Sequence, residues 1–577
     1  MAFIVKKNIH GKEYYYLNKS VREGKRVRTK TIAYLGKNKN EAEKKAKELA
    51  KRSTAEEQTT GRKTGKPPQK IVNSNNNMEK ISALKPKEIS IEDMTTFCKR
   101  KGFVYNSGEI YGGLAGFWDF GPLGVEFKNN IKNEWWKFHV RQRNDVAGID
   151  GSIITNPKAW EASGHVSSFS DVAVVCKKCG YKTKLDKSEL GKAKCEKCRG
   201  EYASKGNFNL MFTTNVGPIQ EDSIKSYLRP ETAQLIFTNF KFVHDNARLK
   251  LPFGIAQIGK AFRNEIAPRD FLFRCREFEQ MEIEYFVDPK EKCPYAIGNS
   301  EILVLSAEMQ EQNKEPIKMK IKEAYEKNII KTDWHAYWLE QEFLWFTSLG
   351  ANPDKFRIRQ HKADEKSHYA LDTWDLEYEF PFGWKELQGM ANRTNFDLKQ
   401  HEKFSKTSME IVEEKNGKAE KILPHVVCEP SQGVERAFLV FMFDAYYFDE
   451  KRQNIVLKLN PKLSPIKAAV FPIVKKPEYE DLSEKILVDL KKEFNVLSDN
   501  SGSIGRRYAR NDEAGTPFCI TIDDESPKNK DVTIRDRDTT KQIRVKIADL
   551  KETLRKLIGK EISFEKAGKP VETRVKE

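Results

Sequence analysis

The sequence lacks the features of a membrane or secreted protein. No window approaches the roughly 18 uninterrupted apolar residues that a transmembrane helix requires. The apolar run at the N-terminus, MAFIV, is broken at Lys6, too early for a secretory signal. Nine cysteines in 577 residues are also too few for a disulfide scaffold. These absences predict a cytoplasmic protein, and the length predicts three or four domains of roughly 150 residues each.

Acidic residues are in deficit, and the deficit is concentrated at one end of the chain. The sequence has 102 lysines and arginines against 84 aspartates and glutamates, a net charge of +18. Residues 1–77 contain 20 basic and 7 acidic residues, whereas the other 500 contain 82 and 77. This asymmetry favours a polyanionic partner, because each neutralised phosphate releases condensed counterions. A solvated tail that only aids solubility explains the charge equally well.

The pattern of residues 1–52 predicts a small basic module of the β-β-β-α type. Three short β-prone runs precede a helix over 41–52 that Asn40 can cap. Residues 53–77 are polar and contain Gly, Pro and Asn, which predicts a linker. The module is thus an N-terminal appendage whose role the sequence leaves open.

The remaining chain changes character at Pro461. Before it, β-prone segments dominate from residue 208, interrupted by a segment at about 290–335 that is predicted to be a helical insertion. After it, strands alternate with helices, which predicts a compact α/β domain of about 100 residues. We therefore expect a main domain over 78–460 and a second domain over 461–577.

Four of the nine cysteines form two C-x-x-C pairs. Cys176, Cys179, Cys195 and Cys198 have the spacing C-x2-C-x15-C-x2-C, which is typical of a tetrahedral zinc site. The polar segment between the pairs is too short for a core of its own, so the metal must fold it. Because the protein supplies all four ligands, we predict structural Zn²⁺ in a ribbon over 172–203. Four unliganded cysteines that share this spacing by chance are the alternative.

Residues 262–282, FRNEIAPRDFLFRCREFEQME, interleave arginines and carboxylates with aromatic residues. Two strands around Pro268 would bring Arg263 and Arg274 to one face. Guanidinium groups suit phosphate oxygens because they are always charged and bind in a bidentate manner. On pattern alone, the alternative is an exposed hairpin whose cross-strand charges neutralise one another.

This segment resembles motif 2 of the class II aminoacyl-tRNA synthetases, in its glycyl-tRNA synthetase version. Further strings resemble that family in the same order over about residues 90–555: EIYGGLAGFWDFGPLGVEFKNN, WEASGHV, FNLMFTT, RPETAQ, LPFGIAQIGK, FPFGWKELQGMANRTNFDL, EPSQGVER and GTPFCITID. The resemblance implies the class II fold, an α+β catalytic core with an antiparallel sheet, followed by an α/β anticodon-binding domain. A zinc-bearing chain with that C-terminal domain is similar to the homodimeric type of archaea, eukaryotes and many bacteria, and GPLG at 121–124 resembles motif 1, the dimer interface.

The resemblance implies ATP-dependent ligation of glycine to tRNA(Gly) through a glycyl-adenylate, with Mg²⁺ as a cofactor. Arg263 and Arg436 would be catalytic: the first would contact the α-phosphate, and the second would close over ATP from the other side. Glu265 and Phe278 would hold the adenine, and Glu386 would hold ATP and its Mg²⁺. The full set that the resemblance implies for ATP is Arg263, Asn264, Glu265, Phe273, Arg274, Cys275, Arg276, Glu277, Phe278, Glu386, Leu387, Gly433, Val434, Glu435 and Arg436.

The resemblance also implies an acidic pocket for glycine. Glu231, Glu282 and Glu429 would surround the ammonium and leave no room for a methyl group. Arg393 is the candidate for binding the substrate carboxylate. Lys184 stands where the family commonly has an arginine; a lysine keeps the positive charge but lacks the bidentate geometry of a guanidinium group. The full set implied for substrate binding is Glu231, Phe278, Glu279, Gln280, Met281, Glu282, Glu429, Pro430, Ser431, Gln432, Gly433, Arg393 and Lys184.

Three other interpretations stay open at the level of sequence. A non-catalytic synthetase paralogue that acts as a nucleic-acid-binding subunit predicts decay of the ATP arginines, yet Arg263, Arg274 and Arg436 are present. A synthetase of another specificity predicts fewer acids in the pocket. A zinc-ribbon nucleic-acid binder explains the cysteines and the charge but not those acids. The expected partners are tRNA(Gly), glycine and a second copy of the chain in a homodimer.

Overall fold

A computed structural model describes residues 2–9, 12–23, 26–36, 89–185, 190–219, 221–366 and 370–571. The chain divides into two compact units, Met1–Leu84 and Lys85–Glu577. The first unit contains an antiparallel sheet of β1 (Ala2–Ile9), β2 (Lys12–Glu23) and β3 (Arg26–Gly36), with β2 in the middle. The three predicted β-prone runs of this unit are thus confirmed. The helix predicted over 41–52 and the linker over 53–77 lie outside the described residues.

The second unit begins with two helices joined by a hairpin. Ser90 caps α1 (Ile91–Lys101) by accepting a hydrogen bond from the Asp93 amide. The hairpin of β4 (Val104–Asn106) and β5 (Trp118–Phe120) leads into α2 (Pro122–Trp136), and β6 (Val146–Ile149) follows. At Gly124 a Cβ atom would lie 1.8 Å from the Phe103 carbonyl oxygen, so only glycine lets α2 pack here.

A small ribbon follows these helices. Two short helices, α3 (Pro157–Ala162) and α4 (His165–Ser168), precede the strands β7 (Ser170–Cys176), β8 (Lys182–Leu185) and β9 (Tyr202–Asn209). These strands form an antiparallel sheet in the order β8-β7-β9. A separate hairpin of β10 (Thr213–Val216) and β11 (Ile224–Tyr227) leads on to the main sheet.

Nine strands form the central sheet. Besides β6 they are β12 (Phe253–Phe262), β13 (Glu277–Val287), β14 (Glu301–Leu305), β15 (Ile317–Lys320), β16 (Phe356–Gln360), β17 (Asp372–Phe380), β18 (Gly383–Asn392) and β21 (His425–Gly433). Their order in the sheet is β15-β14-β16-β17-β18-β21-β13-β12-β6. The pairs β12–β6 and β14–β16 are parallel and the other neighbours are antiparallel, in agreement with the expected antiparallel core.

Helices bury both faces of this sheet. On β13, Ile283 and Tyr285 join one apolar core, which also contains residues of α8 and α10, whereas Phe286 joins a second core with α5. Alternate residues of a strand point to opposite faces, so the two cores lie on opposite sides of the sheet. The helices are α5 (Ala233–Ala247), α6 (Ala307–Glu311), α7 (Ile321–Glu326), α8 (Asp333–Ser348), α9 (Phe396–Ser405) and α10 (Val434–Ala445).

The prediction of a helical insertion at about 290–335 is wrong in part. The segment contains the strands β14 and β15 besides the short helices α6 and α7. Strand β14 pairs in parallel with β16 and extends the central sheet. An edge of a sheet supplies hydrogen-bond partners that local periodicity cannot reveal, so tertiary pairing overrode the local pattern.

The chain after Pro461 forms the predicted α/β domain. Its mixed sheet has the order β25-β24-β26-β27-β28-β29. The strands are β24 (Ala468–Pro472), β25 (Val496–Ser498), β26 (Phe518–Ile522), β27 (Asp531–Asp536), β28 (Gln542–Lys546) and β29 (Lys569–Pro570), and the helices are α11 (Pro477–Leu490), α12 (Ile504–Ala514), α13 (Ser526–Asn529) and α14 (Leu550–Gly559).

Two hairpins complete the second unit, β19 (Ile411–Lys415) with β20 (Lys418–Ile422), and β22 (Tyr446–Asp449) with β23 (Asn454–Leu457). Among the residues that the structure describes, no helix is both long and apolar enough to span a bilayer.

Candidate active site

A cavity of about 540 Å³ opens over the middle of the central sheet. Strands β13, β17, β18 and β21 supply its floor, and the hairpin between β12 and β13 supplies one wall. The lining residues are Phe169, Leu210, Glu231, Arg263, Glu265, Leu272, Phe273, Arg274, Cys275, Phe278, Gln280, Glu282, His361, Thr373, Asp375, Glu386, Leu387, Gly389, Ala391, Glu429, Ser431, Gln432, Gly433, Glu435 and Arg436.

Two arginines that line the cavity, Arg263 and Arg436, are fixed by aromatic rings. The Arg263 guanidinium lies 5.5 Å from the ring centre of Phe278 and 5.7 Å from that of Phe169. Its Nε donates to the Pro230 carbonyl at 3.0 Å. These contacts orient a permanent positive charge in the cavity wall, ready for an anionic ligand.

Arg436 holds the corresponding position on the other wall. It belongs to the first turn of α10, and its guanidinium lies 4.6 Å from the ring centre of Phe273. Its Nη1 donates to the Glu386 backbone carbonyl at 2.8 Å and lies 3.5 Å from the Glu386 carboxylate. The structure thus brings the two predicted catalytic arginines into one cavity.

Oxygen ligands gather beside Arg436. The carboxylates of Glu386 and Asp375 both line the cavity, and Asp375 lies 2.7 Å from His361 Nε2. Burial and the charge of Glu386 raise the pKa of Asp375 to about 6. Two carboxylates on adjacent strands β17 and β18 are hard donors of the kind that Mg²⁺ prefers.

Three glutamates also line the cavity: Glu231, Glu282 and Glu429. Burial alone would raise the pKa of Glu231, but His165, Arg393 and Arg263 outweigh it and hold the pKa well below its usual value. His165 Nε2 lies 3.3 Å from the Glu231 carboxylate, and its Nδ1 contacts the Ser163 hydroxyl at 2.8 Å. Glu231 therefore keeps its negative charge although it is buried.

Glu282 is held by two hydroxyl groups. The Ser431 hydroxyl donates to its carboxylate at 2.6 Å, and the Thr232 hydroxyl donates to the other oxygen. Burial, and then the charge of Glu231, raise the pKa of Glu282. Gly389 lies directly opposite Ser431 on β18, and a Cβ atom there would lie 3.7 Å from the carboxylates of Asp375 and Glu386.

Glu429 depends on a buried arginine. Arg393 Nη1 donates to Glu429 at 2.7 Å, while its Nε and Nη2 donate to Asp397 at 2.8 and 2.9 Å. Burial nevertheless raises the pKa of Glu429 to about 8, with Glu282 and Glu231 adding to the effect against Arg393. Arg393 was the candidate for the substrate carboxylate, but its side chain lies behind Glu429 and does not line the cavity.

Strand alternation separates the remaining residues of the predicted set. Phe278, Gln280 and Glu282 face the cavity. The side chains of Glu277, Glu279 and Met281 face the other way: Glu277 pairs with Lys260, Glu279 pairs with Lys128 and Lys132, and Met281 joins the core. The period of two along a strand is the physical reason.

Other predicted residues support the cavity from outside. Arg276 donates to the carbonyls of Glu265 and Ala115, and so fastens the hairpin to the loop before β5. The Asn264 amide donates to the Leu210 carbonyl, and Val434 packs in the core. Pro430 lies on β21 outside the lining. Lys184 lies on β8, opposite Ala173.

The sequence reasoning missed several lining residues. Phe169 and Leu210 immediately flank the strands of the ribbon, while His361, Thr373 and Asp375 lie on or next to strands β16 and β17. The signal was present in the strand WDLEYEF, where carboxylates interrupt an otherwise apolar run. The remaining three, Leu272, Gly389 and Ala391, carry no chemical signal.

The four paired cysteines converge as predicted. The Sγ atoms of Cys176 and Cys198 are 3.4 Å apart, those of Cys179 and Cys195 are 3.6 Å apart, and all four lie within 4.8 Å of one another. None of the four forms a disulfide. A tetrahedral metal with bonds of about 2.3 Å to sulfur requires sulfur–sulfur distances of about 3.8 Å, so the geometry fits such a metal.

An antiparallel sheet, the hairpin between β12 and β13 that carries Arg263, the helix α10 with Arg436 in its first turn, and one cavity lined by both arginines define a class II aminoacyl-tRNA synthetase. Residues 467–557 match a family model described as an anticodon binding domain. Glycine–tRNA ligase of Treponema denticola is 42% identical over 80% of this chain and 96% of its own length. The enzymes of that name from Caldanaerobacter subterraneus subsp. tengcongensis and Thermobifida fusca are 42% and 39% identical, over 80% and 81% of this chain and 97% and 98% of their own lengths. The chain belongs to the glycine–tRNA ligase family.

Proposed function

We propose that the protein joins glycine to tRNA(Gly) in two steps that consume ATP. The glycine carboxylate attacks the α-phosphate of ATP, which forms glycyl-adenylate and releases diphosphate. The terminal ribose hydroxyl of the tRNA then takes the glycyl group and releases AMP. The observation that carries this proposal is a single cavity lined by both fixed arginines and buried carboxylates.

In the first step the protein positions the reactants and neutralises charge. Arg263 contacts the α-phosphate, and Arg436 closes over the nucleotide from the opposite wall. Phe278 and Glu265 hold the adenine. Glu386 and Asp375 would hold Mg²⁺, which would help to neutralise the phosphate charge.

Selection of glycine depends on charge and on space. The ammonium group lies among Glu231, Glu282 and Glu429, of which Glu231 is ionised before substrate arrives. Ser431 orients Glu282 through its hydroxyl. An amino acid with a side chain must displace one of these buried groups, and that loss of packing disfavours it.

Diphosphate exchange with ATP, measured for each of the twenty amino acids, tests the proposal. Exchange with glycine alone is the expected result. Exchange with none would favour the non-catalytic paralogue, for which the intact arginine pair gives no support. Exchange with alanine or serine above glycine would overturn the assignment of the substrate.

The cysteine cluster is proposed to hold structural Zn²⁺. Four soft thiolate donors at these distances fit a closed tetrahedral site, which leaves no position for a substrate. When bound, the ion links the two knuckles of the ribbon over 172–203. Lys184, on the same ribbon, is proposed to approach the substrate through its charge.

We also propose a homodimer of the type shared by archaea, eukaryotes and many bacteria. Three apolar side chains are exposed in the loop between β4 and β5: Ile110 is 88%, Tyr111 90% and Leu114 59% accessible. The segment 121–124 that resembles motif 1 follows directly. Exposed apolar side chains of this size favour burial against a second copy. Light scattering in solution measures the mass.

The domain division follows from the same assignment. Residues 78–460 are proposed as the catalytic domain and 461–577 as the domain that contacts the anticodon. The appendage over 1–52 is proposed to add non-specific affinity for tRNA, because the surplus of basic residues is concentrated at that end of the chain. Translation in the cytoplasm is the proposed setting.

A further inference from the structure

Glu284, on strand β13, is a buried carboxyl group to which the glycine pocket above gives no role. It lies two residues beyond Glu282, on the same face of the strand, and its side chain is fully buried. Neither carboxyl oxygen has a hydrogen-bond partner among the described residues. The next residue on this face, Phe286, belongs to an apolar core. Glu284 thus lies beneath the residues that line the cavity, where the polar layer ends.

The strand register sets Glu284 beside Glu429. Across β13 and β21, Glu282 pairs with Ser431 and Tyr285 pairs with Cys428, so Glu284 lies opposite Glu429. One carboxyl oxygen from each of Glu282, Glu284 and Glu429 lies within 4.8 Å of the other two. Three ionised carboxylates at this separation in a buried place would repel one another strongly.

The nearest positive charge is shared with other acids. Arg393, at the end of β18, donates to Glu429 and also, through two nitrogens, to Asp397 of α9. Burial raises the pKa of Glu284 well above its usual value, the charges of Glu429, Glu282 and Asp397 raise it further, and Arg393 opposes them. Geometry and charge therefore agree that the cluster retains a proton.

We propose that Glu284 is protonated in the working pocket and donates a hydrogen bond to Glu429, so that Glu429 keeps the negative charge that the substrate ammonium needs. A hydrogen bond from a neutral carboxyl group to an ionised one is strong and stabilises the charged partner. Glu284 is then a positioning residue that acts through Glu429. The inference rests on the proposed position of the ammonium among Glu231, Glu282 and Glu429.

Two substitutions separate the hydrogen-bond donor from the volume. Glu284→Gln keeps a neutral donor of the same size, whereas Glu284→Met keeps the volume and removes the donor. We expect the KM for glycine to rise about tenfold or more in E284M and less than about threefold in E284Q, since an unpaired buried carboxylate is costly. The KM for ATP is measured in parallel, and thermal unfolding monitors the fold. Glu420→Gln, exposed on β20, is the control for loss of a carboxylate.

The dependence of the glycine KM on pH reports the charge of Glu284. If Glu284 is a neutral donor, its loss in E284M destabilises ionised Glu429, so the pH below which KM rises moves upward. The same pH stays in place in E284Q. A downward shift in both variants means that Glu284 is ionised and repels Glu429, and no shift in either means that the two are not coupled. Either of these results overturns the proposal.

Two further measurements keep the outcomes distinguishable. The infrared difference spectrum between wild type and E284Q at neutral pH should contain the C=O stretch of a protonated carboxylic acid, and its absence overturns the proposal without reference to activity.

Glu429→Gln tests the pocket itself. An unchanged glycine KM in E429Q refutes the position of the ammonium, whereas a raised KM in E429Q with an unaffected E284M refutes the role of Glu284 alone.

Discussion

Contacts within the protein fix the orientation of Arg263. Two aromatic rings and a backbone carbonyl hold its guanidinium, so phosphate binding requires no costly reordering of a long side chain. Glu282 and Glu231 are fixed in the same way by hydroxyl groups and by His165. At the scale of single residues, both the arginines and the carboxylates of the cavity are held by contacts within the protein.

Replacing Arg263 by alanine should therefore remove stabilisation of the transition state rather than stability of the fold. We expect R263A to lower kcat for ATP–diphosphate exchange by about 100-fold or more, the loss typical of a preorganised charge at a reacting phosphate. Arg269→Ala is the matched control, because Arg269 lies in the same hairpin but is half-exposed and contacts Glu196. If R263A retains exchange within about threefold of R269A, the catalytic role of Arg263 is wrong.

The raised pKa of Glu429, about 8, predicts that glycine binding depends on pH. Below that value the empty pocket is increasingly protonated, and a protonated carboxyl group cannot pair with the ammonium. The KM for glycine should thus fall as pH rises from 6 to 8, by at most about tenfold per pH unit. Steady-state exchange at saturating ATP measures it, and a flat profile over this range contradicts the prediction.

At the scale of elements, the sequence predicted where strands and helices form better than it predicted which way their side chains point. The three β-prone runs before residue 41 and the α/β domain after Pro461 were predicted from the sequence alone. The sequence did not predict which face of β13 lines the cavity, because it does not show which of the two alternating sets of side chains points there. Phe278 and Glu282 line the cavity, whereas Glu279 forms ion pairs with lysines of α2. The partners of Arg393 were missed: Glu429 meets it only through the pairing of β18 with β21, whereas Asp397 is four residues further along the chain and could have been found from the sequence.

The ribbon links the cysteine cluster to the cavity. Strand β7 begins one residue after Phe169, and β9 ends one residue before Leu210, and both of these side chains line the cavity. Loss of the proposed zinc should loosen the ribbon and so displace the ring of Phe169, which packs against the Arg263 guanidinium. Unfolding a metal-dependent segment is the usual result of chelation.

We therefore expect a chelator, or the substitution Cys195→Ser, to remove one zinc per chain and to raise the KM for ATP several-fold while most of the fold persists. Metal analysis and diphosphate exchange measure the two effects. Cys293→Ser is the matched control, since Cys293 is a half-buried cysteine outside the cluster. Full activity in a zinc-free C195S protein would show that the ribbon has no structural need of the metal.

At the scale of the whole molecule, positive charge and chemistry lie in different parts of the chain. Residues 1–77 have a surplus of 13 basic residues, whereas the other 500 residues have a surplus of 5. Deleting residues 1–77 should raise the KM for tRNA at physiological salt and leave glycine-dependent diphosphate exchange as in the full chain. The difference between the two proteins should shrink as salt increases, because counterion release drives the added affinity. An unchanged tRNA KM at low salt would contradict a role in tRNA binding.

Strand β13 also fixes the distance between the proposed adenine and ammonium sites. Phe278, proposed for the adenine, and Glu282, proposed for the ammonium, are four residues apart on one face, which is roughly 14 Å along an extended strand. The spacing between the two substrates is therefore built into a single covalent segment and cannot be adjusted for one substrate without moving the other. A variant that accepts a larger amino acid would therefore need changes on another strand of the cavity, such as β18, where Gly389 and Ala391 line it. Inserting one residue between 278 and 282 would instead turn the Glu282 side chain to the other face of the sheet, away from the substrate.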